Sequence, residues 1–441
     1  MHRKIYNSLR EWKNNPNRKP LILLGARQVG KTYIIREFGQ REYEYVAYIN
    51  CHHNQAVNAI FANGFDMERI LRQIEALAGV PVIAGKTLII LDEIQEVPNG
   101  IASLKYFCEN AREQDVIVAG SLLGISLRNG ESFPVGKVNM LYMYPMTFLE
   151  FLQAKGEKII ADNLDSENWD ILSPLHDKLV DLLRQYYFCG GMPEAVKAFV
   201  DGRPLNDVRR IQLDILEAYY RDMGKHSSTM VEKIRLVWQS VPMQLARENK
   251  KFVFGAVRNG ARARDLEEAI QWLVDAGIVI KVNGTTTPAT PLIFYKDSAS
   301  FKLYFLDIGL LGAITGVEAE ELLINNSAFV EFKGALAENY VVQQKQSEFG
   351  DALFYYASNS PKMEIDLLTG TSSRLWAMEV KAGNNVRSQS LAKLSEKVSP
   401  ETPLTCIRYS LLPYERQQWM TNIPLYGACV ALKIPADFGR K

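Results

Sequence analysis

Apolar positions follow two different patterns along this chain. Through the first 150 residues, short unbroken apolar runs alternate with stretches of helical spacing. Residues 21–24, 45–50, 87–91, 115–119 and 138–144 read as strands. An unbroken aliphatic run, without in–out alternation, suits a strand buried on both faces of a parallel sheet. Between these runs, residues 32–38 and 101–112 predict helices. Phe65, Ile70, Ile74 and Leu77 place one apolar stripe on a helix over 65–77. Strands alternating with helices predict an α/β domain with a parallel sheet.

From Pro145 the pattern becomes helical. Residues 147–154, 175–188 and 207–220 predict helices, and 166–174 a polar loop. Cys189-Gly190-Gly191-Met192-Pro193 interrupts them with turn chemistry. Residues 234–282, with a helix over 264–276 and a strand over 278–282, predict a small winged helix-turn-helix; a plain packing module fits the same pattern. A last α/β segment starts near Ala328. It has helices over 329–347 and 388–397, and strands over 353–357, 364–369, 374–381, 405–409 and 428–434. The expected division is a parallel α/β domain over 1–150, a helical region over 151–230, a winged-helix-like module over 231–285 and a second α/β domain over 286–441.

Composition narrows this picture. A length of 441 residues predicts about three domains at roughly 150 residues each. With 47% apolar and 23% charged residues, the chain has material for several cores and is not a disordered polymer. A net charge of +1 removes any global electrostatic argument for nucleic acid or membrane, so such a partner needs a local patch. Five cysteines without a CxxC pair argue against a zinc site or disulfide framework and predict a reducing compartment. No apolar run reaches the roughly 18 residues that span a bilayer, and the N-terminus lacks a signal-peptide core. A cytoplasmic location without a membrane partner is expected.

Chemistry enters at the end of the first strand. Gly25-Ala26-Arg27-Gln28-Val29-Gly30-Lys31-Thr32 matches GxxxxGK[ST] at every position. The two glycines let the backbone curl so that successive N–H groups face phosphate oxygens, with a helix N-terminus behind them. Lys31 reaches the terminal phosphates, and the Thr32 hydroxyl completes a Mg²⁺ shell. Arg27 within the loop reads either as a solvated spacer or as a further contact to phosphate. The strand Leu88-Ile89-Ile90-Leu91 ends in Asp92-Glu93, and adjacent carboxylates after four aliphatics need a cation. Asp92 is expected to hold Mg²⁺ and Glu93 to activate water. Ser121 ends the next apolar strand, where it either faces the γ-phosphate or is a turn serine. ATP and Mg²⁺ are the expected ligands; DNA and further copies of the chain are candidate partners.

These motifs bring the chain close to a known group. It resembles AAA-type ATPases of bacteria and archaea that carry a C-terminal DUF4143 domain. The likeness rests on residues 21–32, 88–95 and 118–121, on 145–151 (PMTFLEF) and 190–193 (GGMP), and on 302–311 (KLYFLDIGLL) and 334–340 (GALAENY). It continues through 364–367, 379–383 (EVKAG) and 424–426. The resemblance implies a P-loop NTPase with a helical lid, a winged helix and a nuclease-like tail. It departs at Gly136-Lys137, where relatives commonly carry Gly-Arg; lysine lacks the two-pronged planar contact.

A second carboxylate group lies in the tail. Asp366 falls in a predicted strand, Glu379 and Lys381 share one face of the next, and Glu338 lies on the preceding helix. This order resembles the PD-(D/E)xK nuclease core, although Ile365 stands where the motif has proline. The resemblance implies Glu338, Asp366 and Glu379 as metal ligands and Lys381 as a catalytic lysine. The competing expectation is a nuclease-like fold without that activity. Three functions are thus in play: an ATPase coupled to conformational change, an ATP-regulated nuclease, and a nucleotide-gated interaction protein.

Overall fold

The computed structural model describes residues 2–120, 133–224, 227–248, 250–323, 330–359, 362–382, 387–399 and 402–432. The chain divides into two units, one over His2–Tyr144 and the other formed mainly by Pro145–Val274 and Ile278–Lys441.

The first unit is a five-stranded sheet. Its strands are β1 (Leu21–Leu24), β2 (Tyr45–Asn50), β3 (Thr87–Asp92), β4 (Asp115–Ala119) and β5 (Asn139–Tyr142). They run in the order β2-β3-β4-β1-β5, every pair parallel. β1, β3 and β4 are buried along their whole length, as their unbroken aliphatic runs require. β4 lies between β1 and β3, so the loop after β1 and the acids after β3 emerge at the same edge. The predicted helix over 32–38 extends over Lys31–Glu42. The stretch before β3 holds two helices, Gln55–Ala62 and Met67–Ala78, capped by the side chains of Asn54 and Asp66.

The second unit is built on an eight-stranded mixed sheet, ordered β12-β13-β11-β10-β9-β8-β6-β7. Here β6 is Val279–Thr285, β7 Lys296–Phe305, β8 Phe354–Asn359, β9 Lys362–Thr371 and β10 Arg374–Lys381. The last three are β11 (Leu404–Ser410), β12 (Glu415–Arg416) and β13 (Met420–Pro424). The hairpin β6–β7 follows the helix Ala263–Asp275, and β6 pairs parallel with β8, so the hairpin continues the large sheet. Residues 425–429 form a 3-10 turn where a strand over 428–434 was expected. A buried apolar run without alternation does not distinguish the two.

Several sequence motifs meet in one buried polar network in this unit. Thr147 and Glu150 form a capping box on the helix Phe148–Ala154, which explains the TFLE spelling. Asp307 is fully buried and caps the helix Ile308–Ile314 through Leu310 N–H (3.1 Å). Its other oxygen accepts from Gly191 N–H (2.6 Å) and Gln343 (3.0 Å). Gly190 has φ +70°, and a Cβ there would lie 2.1 Å from Asp307 Oδ1, so only glycine fits. Burial pushes the Asp307 carboxyl up to about 6, against the pull of backbone N–H donors such as Gly191. Tyr186 donates to Met146 O (2.5 Å), and Gln344 accepts from Phe148 N–H (2.9 Å). The PMTFLEF, GGMP and LDIGLL stretches are therefore parts of one hydrogen-bonded hub. Among the described residues, no helix is long and apolar enough to cross a membrane.

Candidate functional site

The loop between β1 and the helix Lys31–Glu42 is a tight backbone nest. Gly25 has φ +152°, and a Cβ there would lie 2.2 Å from Met143 O, so the end of β5 dictates glycine. Gln28 (φ +66°) and Gly30 (φ +96°) complete the curl. Lys31 is buried, and its ammonium donates to the carbonyls of Gly25 and Ala26, each at 2.8 Å. Burial pushes its pKa down to about 8, while Glu93 and Asp92 pull upward.

Across the sheet edge, Thr32 donates its hydroxyl to Asp92 Oδ2 at 2.8 Å. Tyr48 donates to the same oxygen at 3.0 Å. Burial and the Asp92 charge push the Tyr48 phenol up to about 12, so it remains a donor at neutral pH. Asp92 is 5% exposed and its described hydrogen-bond donors are neutral hydroxyls. Hydroxyl donors orient a carboxylate without cancelling its charge. Thr32 and Asp92, aligned by one short contact, thus form the oxygen pair that a hard divalent cation takes. Glu93 adopts φ +56°, and its N–H is fixed to Ala119 O at 2.8 Å. Gln95 donates to Glu93 Oε2, and the Gln95 amide oxygen is buried without a partner among the described residues.

Three contributors were given no role from the sequence: Arg3, Tyr48 and Gln95, the last of which lies within the matched stretch 88–95. Arg3 is buried and donates to Val29 O (2.9 Å) and Tyr144 O (2.6 Å), bracing the loop from behind. Only Tyr48 left a signal. It lies two residues before Asn50, which pairs with Asp92, so it shares that face of β2. Ser121 lies outside the described residues. Lys137, at the departure from the Gly-Arg pattern, forms a surface ion pair with Glu109 at 2.8 Å. Cys51, beside His52-His53, is pushed up to about 12 by burial and Asp92 and stays a thiol.

The second unit gathers its acids differently. Glu338, on the helix Val330–Phe349, is buried with Lys250 at Oε2, and Lys302 (3.2 Å) and Tyr304 (2.5 Å) at Oε1. Lys302 is fully buried and also reaches Glu364 at 2.7 Å. Burial pushes the Glu338 carboxyl up, but Lys250 and Lys302 outweigh it and hold the group down at about 2. Asp366 accepts Val380 N–H at 2.8 Å; burial and the charge of Glu338 push it up to about 7. Lys381 pairs with Glu379 Oε1 at 2.9 Å, and Glu379 Oε2 is buried without a partner among the described residues. Among the described residues, no group of three or more His, Cys, Asp or Glu is placed to hold a metal ion. Lys250 and Lys302 were not expected here. Lys302 carried a signal, a lysine inside the apolar strand Phe301–Phe305.

A parallel sheet with a glycine nest, a buried lysine and a strand-end Asp-Glu pair defines a P-loop nucleotide-binding domain. Family comparison agrees: residues 17–152 match the model of an AAA domain. Residues 333–426 match the domain of unknown function DUF4143, so an AAA domain is followed in the same chain by a DUF4143 domain. Residues 180–321 match a further domain of unknown function, DUF8612, whose span crosses the expected lid and winged-helix segments. No curated protein matches the chain. Among solved structures, a Walker-type ATPase of Pyrococcus abyssi is 12% identical, with a TM-score of 0.44 over 71% of this chain and 95% of that one. The Aeropyrum pernix ORC1 protein, solved in complex with DNA, is 15% identical, with a TM-score of 0.31 over 72% of this chain and 93% of its own.

Proposed function

We propose that the first unit binds ATP with Mg²⁺ at residues 25–32 and hydrolyses its terminal phosphoanhydride. The observation that carries this reading is the 2.8 Å contact between Thr32 and Asp92, residues 60 apart in sequence and joined only by the fold. Mg²⁺, when bound, would supply positive charge against the phosphates. The backbone N–H groups of the loop hold the phosphates, and Lys31 exchanges its two carbonyl contacts for phosphate oxygens. Thr32 and Asp92 would hold the metal, with Tyr48 fixing the carboxylate. Glu93 accepts the proton of the attacking water as the new bond to phosphorus forms and the anhydride breaks. Gln95 holds Glu93 in line. A site built only to retain nucleotide has no use for Glu93, which favours turnover over simple retention; coupling of that turnover to a conformational change is a further part of the proposal.

The test is ATP turnover by wild type and by Glu93→Gln. The variant is expected to bind ATP normally and turn it over about 100-fold more slowly; equal turnover removes Glu93 from the mechanism. The same assay with DNA added tests DNA as a stimulating partner. The cluster around Glu338 enters this reading as a lysine-neutralised structural network. Incubation with Mg²⁺ or Mn²⁺ is expected to leave DNA and RNA intact. Cleavage that disappears in Asp366→Ala would restore the nuclease reading.

A further inference from the structure

The large sheet carries a second feature on the face away from its acids. Strand alternation sends Arg374 and Trp376 to the side of β10 opposite Glu379 and Lys381. Register carries that face onto β11, where Trp376 pairs with Thr405 and Val380 with Tyr409. A cleft of about 320 Å³ opens there, lined by Arg374, Trp376, Tyr409 and Arg416. That volume falls within the range of small-ligand sites, roughly 300–1,000 Å³.

Trp169 and Tyr414 form another part of the lining, with rings stacked at 4.7 Å between centroids and planes 3° apart. Such a paired plane is a platform for a further flat ring. Arg416 lies on the exposed edge strand β12, and its guanidinium has no ion-pair partner among the described residues. Among the described residues, Arg374 is tied only to a neutral group, donating to Thr405 Oγ1 at 3.1 Å. Tyr409 is fully buried, and its hydroxyl has no hydrogen-bond partner among the described residues. A ligand bearing a complementary atom would satisfy that hydroxyl. Glu167 adds an acceptor to the lining. The cleft therefore offers stacking, anion binding by guanidinium, and acceptance from an amine.

We propose that this cleft binds a nucleoside phosphate. The base stacks on the Trp169–Tyr414 pair and the phosphate is held by Arg374 and Arg416. Glu167 and the Tyr409 hydroxyl meet polar atoms of the base. A free mononucleotide and the end of a single strand present this same chemistry. The site is independent of the P-loop, and its failure leaves the ATPase reading untouched.

The experiment uses the full chain carrying Lys31→Ala, so that binding at the P-loop does not contribute. AMP and a 5′-phosphorylated oligo-dA are titrated while tryptophan fluorescence is followed. Saturable quenching by either ligand is expected. Adding Arg416→Ala, at an exposed position, should weaken it about tenfold, the usual scale for one charge-assisted contact. Tyr409→Phe should weaken it about threefold with the fold unchanged by circular dichroism. Binding of AMP alone assigns a free nucleotide, and tighter binding of the oligonucleotide assigns a strand end. Absence of binding by both ligands, or equal affinity in Arg416→Ala, overturns the proposal.

Discussion

Asp92 accepts hydrogen bonds from two neutral hydroxyls, those of Thr32 and Tyr48. Glu338, equally buried, is held by the ammonium groups of Lys250 and Lys302 together with the Tyr304 hydroxyl. Both arrangements give a buried carboxylate hydrogen-bond donors, yet they leave different net charges. Around Glu338 the protein supplies its own counter-ions, and the acid becomes part of the scaffold. On the proposed reading, the hydroxyls around Asp92 hold its oxygen in place and leave its charge for an incoming cation. Neutral donors alone do not mark a cation site, since Asp307 also accepts only from neutral donors and serves as a helix cap; the two lysines at Glu338 cancel its charge within the fold.

Breaking each arrangement should separate them. The largest effect is expected at the scaffold. Glu338→Ala leaves Lys302 buried without its main partner and should destabilise the second unit by about 3–5 kcal/mol, read by denaturant unfolding. Glu338→Gln should lose less, because it keeps the shape. Since the Glu338 carboxyl is held down at about 2, from an ordinary 4.5, its stabilisation is complete above about pH 4.5 and disappears as pH falls toward 2. The gap between wild type and Glu338→Gln should close over that window.

At the P-loop, the corresponding changes should cost function rather than stability. Lys31→Ala should weaken ATP about 100-fold or more, near 3 kcal/mol by calorimetry. Stability should not fall, because a desolvated ammonium is removed. Tyr48→Phe should weaken Mg²⁺-dependent nucleotide binding by about 1.5 kcal/mol, the low end for one hydrogen bond to a charged group. A pH dependence is expected as well. With Lys31 pushed down to about 8 by burial, the free protein loses its ammonium as pH rises past that value. ATP affinity should be flat below pH 8 and fall by up to about tenfold per unit above it. An affinity unchanged at pH 9.5 would show that Lys31 keeps its proton.

The same contrast explains what could be read from the chain alone. The P-loop was legible because its eight residues are contiguous and their chemistry is fixed by one backbone curl. Asp92 and Glu93 were legible because two acids ending an aliphatic strand are costly without a cation. Tyr48 was hidden because its role depends on the register of β2 against β3, which pairs Asn50 with Asp92. Lys250 and Lys302 were hidden for a related reason: they meet Glu338 from 88 and 36 residues away. The motif residues of the C-terminal cluster were identifiable, whereas the lysines that set their charge were not. The PMTFLEF and GGMP stretches stood out in sequence, but their joint role as a hydrogen-bonded hub needed the fold.

The most direct test of this account measures ATP binding by calorimetry with Mg²⁺ and with EDTA, in wild type and in Asp92→Asn. Wild type should bind ATP at least about tenfold more tightly with Mg²⁺, and Asp92→Asn should lose that difference while unfolding at the same denaturant concentration. Equal affinity with Mg²⁺ and EDTA in wild type, or a Mg²⁺ effect that survives Asp92→Asn, would contradict the assignment of Asp92 as the acid that meets the nucleotide-borne cation.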